Sequence, residues 1–216
     1  MIAVVSLGGT IASSGSAGTA APAISAGELV SSVPQLEGLA DITVHQFRQV
    51  SSIDLTLDDP LELANLTAEL APKVAGIVIA QGTDTIEEAS FFLDLLGTVE
   101  VPVVVTGAMR LPGLPGADGP ADQLDSVVVA SAAEARGRGV LVVMNGEIHE
   151  ARHVRKVNTS SPGAFASPAT GPVGWVTEGS VSLLHPAPAT SWPRRLGVAQ
   201  NPLRFHSRPT ARSMSA

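Results

Sequence analysis

Hydroxyl and carboxylate side chains follow several apolar runs of this sequence, at the point where each run ends. Thr83 and Asp84 follow the apolar run 76–80 behind a two-residue break, and Thr10 follows the first apolar run behind a pair of glycines. A threonine hydroxyl becomes an effective nucleophile when a neighbouring base takes its proton. The pattern therefore predicts a hydroxyl-based site in which the adjacent carboxylate orients the base or pairs with its charge.

Three further groups belong to the same pattern. Ser52 with Asp54, and Met109 with Arg110, also follow strand-like runs. Lys156 is one of only two lysines in the chain, and it is the candidate base, which requires burial or neighbouring charges to favour the neutral amine. A single threonine is more often a helix cap or a core hydroxyl. The prediction therefore depends on these groups meeting in space.

The elements that would bring them together are apolar strands separated by helical segments. Strands that alternate with helices at this spacing predict βαβ units and a mostly parallel, Rossmann-like α/β sheet, and strands that are apolar throughout indicate helices on both faces. Ligands bind at the carboxyl edge of such sheets. A closing hairpin is expected near 173–184. The predicted strands are 2–6, 42–50, 76–80, 101–106 and 140–144, and the predicted helices are 25–34, 59–71, 86–97 and 122–135.

Two of the helix starts carry the capping-box pattern, in which a hydroxyl residue is followed three positions later by a glutamate. The pattern occurs at 25–28 and again at 85–88. The second box predicts a helix N-terminus directly after Thr83 and Asp84. Its free amide groups would favour an anion at that position.

Composition narrows the class of protein. The chain has 216 residues, a hydrophobic share of 44% and no cysteine, which excludes disulfides, a thiol nucleophile and cysteine-based metal sites. A net charge of −7 argues against nucleic acid as the main partner, and no apolar run is long enough to span a membrane. The first residues lack a signal-peptide pattern. We therefore expect a cytoplasmic protein without a membrane partner.

Charge is distributed unevenly along the chain. Residues 1–178 hold all 20 acidic residues and 8 of the 13 basic ones, whereas 179–216 hold five arginines and no acid. Such an asymmetry is typical of a separate tail. We expect a catalytic domain at 1–185 and a basic tail rich in Pro, Arg and Ser at 186–216. Either this tail is disordered in a natural short form, or a frameshift has replaced the true continuation.

A competing motif lies at His149–His153, which reads HEARH and matches the HExxH signature of zinc peptidases. On a helix the two histidines would face one way, and the glutamate would activate a zinc-bound water. The preceding Asn145-Gly146 is turn chemistry, however, and no amphipathic stripe surrounds the motif. The alternative interpretation is two exposed histidines on a hairpin or loop.

Six segments carry long, distinctive motifs. They read GGTIA at 8–12, QGTDTIEEASFFLDLL at 81–96, GAMR at 107–110, GADGPADQLDSVVVA at 116–130, GVLVVMNGEIHEARHVRKVNT at 139–159 and GPVGW at 171–175. This set resembles the bacterial-type L-asparaginase/glutaminase family of amidohydrolases, over about residues 1–184. The resemblance implies the family's N-terminal catalytic domain, and it implies a hairpin for HEARH.

The resemblance also implies a role for each site residue. Thr10 would attack the side-chain amide of asparagine to give a covalent acyl-enzyme, ammonia and then aspartate. Thr83 and Lys156 would form a second reactive pair with Asp84 alongside. Asp84 would also bind the substrate α-amino group, and Ser52 its α-carboxylate. Backbone amides near Thr83 and Ala108 would suit an oxyanion hole. No cofactor or metal is implied.

The chain departs from the family pattern in its lid. The segment 13–22 would be the mobile lid, on which many members carry a tyrosine that partners the first threonine. This chain contains no tyrosine; Ala20, Ala21 or Ala23 lies near its place. Gln81 replaces the frequent histidine. How Thr10 is activated is therefore the main question that the sequence raises.

The chain also departs in length. Family members add a smaller C-terminal domain that completes the active site of a neighbouring subunit in a homodimer or homotetramer, and here the resemblance stops near Leu184. We expect an asparaginase that acts on L-asparagine, and also on L-glutamine if its pocket allows, with weak or absent activity in this short chain. The alternatives are a non-catalytic amino-acid-binding or interaction protein of the same fold and, more remotely, the zinc peptidase.

Overall fold

The computed structural model of the chain describes residues 1–15, 19–96 and 99–187. Within these residues the chain forms four α-helices and twelve strands. The helices are α1 (Ala26–Ser31), α2 (Asp58–Leu70), α3 (Ile86–Leu96) and α4 (Gly119–Ser131). The strands are β1 (Ile2–Gly8), β2 (Ser13–Ser14), β3 (Ala21–Pro22), β4 (Ile42–Val50), β5 (Gly76–Ala80), β6 (Val103–Thr106), β7 (Val140–Met144), β8 (Glu147–Glu150), β9 (Arg155–Lys156), β10 (Phe165–Ala166), β11 (Gly174–Thr177) and β12 (Ser180–Leu183).

Eight of these strands form one mixed sheet in the order β12-β11-β8-β7-β6-β5-β1-β4. The five strands from β4 to β7 in this order are parallel. The remaining three, β8, β11 and β12, are antiparallel and extend the sheet at one end. The predicted mostly parallel sheet is confirmed. Because the five central strands run the same way, their carboxyl ends share one edge.

Both faces of the sheet are covered, which explains the apolar strands. In β1, Ala3 and Val5 belong to the core cluster that also contains Leu63 of α2 and Leu93 of α3. Val4 points the opposite way, into a cluster with residues of α4. Successive side chains of a strand face opposite sides of the sheet, so a strand buried on both sides must be apolar at every position.

Two tight turns close the antiparallel part of the sheet. Asn145-Gly146 joins β7 to β8 with φ angles of 53° and 75°, and Glu178-Gly179 joins β11 to β12 with 51° and 73°. Positive φ at both central residues is the geometry of a type I′ hairpin turn, for which Asn-Gly is the favoured pair. The predicted hairpin near 173–184 and the hairpin after Asn145 are both confirmed.

The two predicted capping boxes differ in outcome. At α1 the box forms in full between Ser25 and Glu28. At α3 the Thr85 hydroxyl instead donates to the carbonyl of Ser52, at 3.4 Å. The reason is that a 3-10 turn over Thr83–Thr85 runs directly into α3, so the chain is already helical at Thr85 and this residue cannot act as a cap.

Some boundaries also differ from the prediction. Helix α4 begins at Gly119 rather than 122, and β6 begins at Val103 rather than 101. No helix within the described residues is both long and apolar enough to cross a membrane. The predicted tail is described only to residue 187, so the domain boundary at 185 stays a prediction and residues 188–216 lie outside the described part.

Candidate active site

Four of the residues predicted to meet, Thr10, Ser52, Thr83 and Asp84, lie at the carboxyl edge of the parallel strands. Asp54 and Arg110, which belong to the same prediction, are exposed and are not hydrogen-bonded to these four. Thr10 begins a 3-10 turn after β1, Ser52 begins another after β4, and Thr83 begins a third after β5. These three strands are neighbours in the sheet, in the order β5-β1-β4. The parallel topology therefore brings together side chains that are far apart in sequence.

Two glycines bring the turns into direct backbone contact. Gly9 has a φ of 76°, and a Cβ atom built on it would lie 2.1 Å from the Cα of Gly82. A Cβ on Gly82 would lie 2.7 Å from the Ser52 hydroxyl oxygen. Contacts this short leave no room for any side chain, so these positions require glycine.

Lys156 reaches the same edge from strand β9. Its Nζ donates to the Thr83 hydroxyl oxygen at 2.8 Å and to Asp84 Oδ1 at 2.7 Å. The lysine side chain is 16% exposed, whereas Asp84 is 56% exposed. The predicted grouping of Lys156, Thr83 and Asp84 is therefore present as one hydrogen-bonded cluster.

Ser52 is tied to the same cluster through the backbone. Its hydroxyl oxygen accepts the Asp84 amide hydrogen, with an N–O distance of 3.2 Å, and its side chain is almost completely buried. The 3-10 turns that carry the two residues also pack against each other. Ser52 therefore helps to fix where the Asp84 backbone lies.

Thr10 stands in a different environment. It lines an open cleft of about 120 Å³. Among the described residues the Thr10 hydroxyl has no hydrogen-bond partner, so no base is in place to take its proton. The cleft is lined by Gly9, Thr10, Ser13, Ala20, Pro22, Ser51, Ser52, Gly82, Asp84 and Leu111.

The predicted lid borders this cleft. Its two ends pair as the short ribbon β2–β3, with Ser13 opposite Pro22. Ala20 and Pro22 both line the cleft, whereas Ala23 does not. Residues 16–18 lie outside the described part. Of the three alanines near the expected tyrosine position, Ala20 is thus the one that the structure places at the cleft.

The loop after β6, residues 107–110, packs next to Thr83. Met109 and Arg110 donate their backbone N–H groups to the Asp118 carboxylate, at 2.8 and 2.9 Å. A Cβ on Gly107 would lie 3.0 Å from the Thr83 methyl group. Ala108 is completely buried in a small apolar cluster with residues such as Ile11, so only its backbone could serve a substrate.

A second carboxyl group of the same region, Asp122, is buried near the start of α4. Its Oδ1 accepts the Asn145 amide hydrogen at 2.6 Å, and its Oδ2 has no protein partner. Burial raises the pKa of Asp122 to about 8, and the negative charges of Asp118 and Asp125 act in the same direction, against the Asn145 hydrogen bond. Burial therefore favours the neutral acid over the carboxylate in the folded chain.

Comparison with known proteins gives the family. The family model described as "Asparaginase, N-terminal" matches residues 1–189. The chain belongs to the asparaginase family.

Its relatives are longer than this asparaginase-family chain. The "Glutaminase-asparaginase" of Pseudomonas fluorescens biotype A is 39% identical over 185 residues, which are 82% of this chain and 51% of the relative. The "L-asparaginase 2" of Escherichia coli strain K12 is 37% identical over 184 residues, 83% and 53% of the two chains. The chain thus spans about half the length of these curated relatives.

A solved structure shows the same fold. The probable cytoplasmic L-asparaginase from Campylobacter jejuni superposes with a TM-score of 0.83 at 36% identity, and the match covers 86% of this chain and 58% of that one. The predicted α/β class and the family resemblance are both confirmed.

The asparaginase fold overturns the helical context that a zinc peptidase would need. His149 lies on strand β8, and His153 lies in the turn that follows. The expectation of two exposed histidines is also wrong for His149, which is completely buried with Nδ1 3.0 Å from the Ser167 hydroxyl. Burial lowers the pKa of His149 although the Glu147 carboxylate opposes the shift. Burial therefore favours the neutral ring, and His149 is a group of the core.

Sequence reasoning missed several residues of this asparaginase-type site. Leu111 and Ser51 line the cleft, and no pattern in the sequence distinguishes them. Asp118 carried a usable signal, because a carboxylate in a Pro/Gly loop is suited to accept free backbone amides. Gln81, which stands where the family often has histidine, is completely buried, and its Nε2 donates to the Gly82 carbonyl at 3.4 Å.

Proposed function

We propose that this chain is the N-terminal catalytic part of an L-asparaginase, which hydrolyses the side-chain amide of L-asparagine to L-aspartate and ammonia. The observation that carries the proposal is the cluster of Lys156, Thr83 and Asp84 at the edge of a cleft lined by Thr10. A paired lysine and hydroxyl beside an accessible second hydroxyl fits covalent acyl transfer.

The proposed reaction has two halves. Thr10 Oγ attacks the side-chain carbonyl carbon of asparagine, the C–N bond breaks, and ammonia leaves with the threonine proton. Water then attacks the resulting ester carbon, breaks the bond to Thr10 Oγ and restores the hydroxyl. In the second half Thr83 receives or relays the water proton, with Lys156 as its partner when the amine is neutral.

The substrate's charged groups have candidate partners in the same cleft. The exposed Asp84 carboxylate would pair with the α-amino group, and Ser52 would contact the α-carboxylate. Backbone amides around Thr83 and Ala108 would stabilise the oxyanion, a role in which one hydrogen bond contributes about 10²-fold to the rate. Glutamine is one methylene longer and is the second candidate substrate, and ammonia release from each amino acid measures the preference.

The direct test is ammonia release from L-asparagine by the purified chain, beside Thr83→Ala. The chain spans about half of its relatives, so we expect weak activity that rises when the C-terminal half of a relative is added. Loss of activity in Thr83→Ala, with an unchanged circular-dichroism spectrum, supports the proposal. A Thr83→Ala variant as active as the parent would contradict it.

A second candidate is an amino-acid-binding protein of the same fold without turnover. It is favoured by one observation, the lack of a partner for the Thr10 hydroxyl within the described residues. Isothermal titration separates the two candidates. Binding of L-aspartate or L-asparagine without ammonia release, even with a C-terminal half present, would establish the binding protein and refute the enzyme.

Assembly and location are proposed on similar grounds. Ile53 and Leu57, beside Ser52, are 72% and 74% exposed, and apolar side chains so close to a site suit a subunit contact. We therefore propose a homo-oligomer, to be tested by light scattering. We propose the cytoplasm because the Campylobacter jejuni relative is titled cytoplasmic, although a Haemophilus influenzae relative is titled periplasmic. Cell fractionation tests this.

A further inference from the structure

Lys156 comes to the site on a very short strand. Strand β9 pairs with β10 in a two-stranded ribbon, with Lys156 opposite Phe165. Beyond this pair, Val157 donates its N–H to the Ala164 carbonyl at 2.7 Å. Successive N–H groups of a strand point to opposite sides, so the Lys156 N–H points out of the ribbon and needs a partner elsewhere.

Glu87 supplies that partner. Its Oε1 accepts the Lys156 backbone N–H, and its Oε2 lies 3.8 Å from Nη1 of Arg155. Glu87 is the second residue of α3, the helix that follows directly from the turn carrying Thr83 and Asp84. One carboxylate therefore ties the lysine's backbone to the element that presents its two side-chain partners.

We propose that Glu87 is a positioning residue for Lys156. Its carboxylate accepts the outward-pointing N–H of β9, as the carbonyl of a neighbouring strand would. This contact fixes the Lys156 backbone and therefore how far the lysine side chain extends towards Thr83 and Asp84. Glu87 does not line the cleft, so it acts through Lys156 and not on the substrate. The catalytic meaning of this role rests on the proposed function, but the positioning itself does not.

The role of Glu87 depends on how precisely the Lys156 ammonium group must be placed. A lysine side chain has four rotatable methylene carbons, and its ammonium group is placed by its backbone as well as by its partners. Without Glu87 the half-buried Lys156 N–H would lose its acceptor, and the two-residue strand would be held on one side only. A displacement of about 1 Å in a catalytic group can cost about 10²-fold in rate.

The chain offers matched variants. Glu87→Ala removes the acceptor and the charge, whereas Glu87→Gln keeps an Oε1 acceptor and removes only the charge. Glu88→Ala is the control, because Glu88 is exposed in the same helical turn and its removal changes the net charge and the helix N-terminus equally. We expect Glu87→Gln to restore most of what Glu87→Ala loses, and Glu88→Ala to match the parent.

The first readout is independent of activity. The chain has only two lysines, so an amine-reactive label read by mass spectrometry compares Lys156 with the exposed Lys73 in one sample. Loss of one hydrogen bond to a charged acceptor should raise the Lys156 labelling rate, relative to Lys73, by about tenfold in Glu87→Ala. An unchanged ratio, or the same rise in Glu88→Ala, would overturn the positioning role.

The second readout uses the chemistry. In Glu87→Ala we expect kcat for ammonia release to fall by about 10- to 100-fold with KM changed less than about threefold. Added to Lys156→Met, the same change should cost nothing further, because residues that act as a unit are not additive. Additive losses would refute the proposal. A parent that releases no ammonia even with the C-terminal half of a relative present, but shows the labelling difference, would refute the proposed function and leave the positioning role standing.

Discussion

The two threonines of the site are close in space but differ in how they are held. Thr83 is buried, bonded to Lys156 and backed by the loop that Asp118 fixes. Thr10 lines the open cleft, and its hydroxyl has no partner among the described residues. Within the described residues Thr83 thus has a hydrogen-bonded amine partner, whereas the Thr10 hydroxyl has none. Whether Thr10 needs a partner from outside the described residues is a question that variants of both threonines can answer.

The largest expected effect concerns Thr10. If it is the nucleophile, Thr10→Ala should reduce kcat by about 10⁴-fold or more, because removal of a nucleophile abolishes the covalent route. Thr10→Ser, which keeps a hydroxyl, should retain measurable ammonia release. L-Aspartate binding by calorimetry should change little in either variant. An active Thr10→Ala protein would show that Thr83 alone carries the chemistry.

The next effect concerns Lys156, whose amine donates a hydrogen bond to Thr83. Lys156→Met keeps the length of the side chain and removes its charge and its proton. We expect kcat to fall by about 10²- to 10³-fold, in the range of one general acid or base. Lys73→Met is the matched control on an exposed residue. A similar loss in both variants would mean that the rate reports protein stability and not the Lys156–Thr83 contact.

A smaller effect concerns Asp122, the acid that accepts the Asn145 amide hydrogen in the β7–β8 turn. The pKa of Asp122 is raised to about 8 in the folded chain, so between about pH 4 and pH 8 the folded state keeps a proton that the unfolded state has lost. Stability should therefore fall as pH rises through this window. Asp122→Asn, which mimics the neutral acid, should raise the free energy of unfolding at pH 8 by roughly 2 to 5 kcal/mol, the upper figure being the full shift in pKa at about 1.4 kcal/mol per unit.

Urea denaturation at pH 5 and pH 8 measures this difference. Asp41→Asn, on an exposed carboxylate, is the control and should leave the pH dependence of the parent intact. If Asp122→Asn shows the same difference in stability between pH 5 and pH 8 as the parent, Asp122 is not held as a neutral acid.

The smallest effect tests whether a tyrosine introduced in the lid of this chain can serve as a hydrogen-bond partner for Thr10. Ala20→Tyr places a phenol at the cleft, near the position where many family members carry a lid tyrosine. We expect kcat to rise by about tenfold, less than a fully positioned acid or base supplies. Ala23→Tyr, at an exposed residue that does not line the cleft, should leave the rate unchanged. Equal rates in both variants would place the missing partner elsewhere.

The sequence predicted the sheet well because its signals are local and agree with one another. The apolar runs at 2–6 and 76–80 can be buried only between two helical layers, and Asn145-Gly146 dictates a tight turn. Since ligands bind at the carboxyl edge of parallel sheets, the sequence alone was enough to predict that Thr10 and Thr83 lie at the same edge of the sheet.

Other features depend on contacts that a local pattern does not contain. Thr85 matched a capping box, but the helical turn begins at Thr83, and the hydroxyl bonds to Ser52 instead. His149 was expected to be exposed, yet the antiparallel strand β8 turns it into the core. Glu87 carried no signal of its own beyond helix propensity, because its partner Lys156 lies 69 residues away.

The contact between Gly9 and Gly82 has a consequence for engineering. The distance between the turn that carries Thr10 and the turn that carries Thr83 is set by a direct contact between the backbones of Gly9 and Gly82, and neither glycine has a side chain that could be substituted to change it. A randomised library at these two positions should return glycine at both. Substrate range can therefore be altered by changing the residues that surround the cleft, whereas the separation of the two threonines can be altered only by changing the length of a loop.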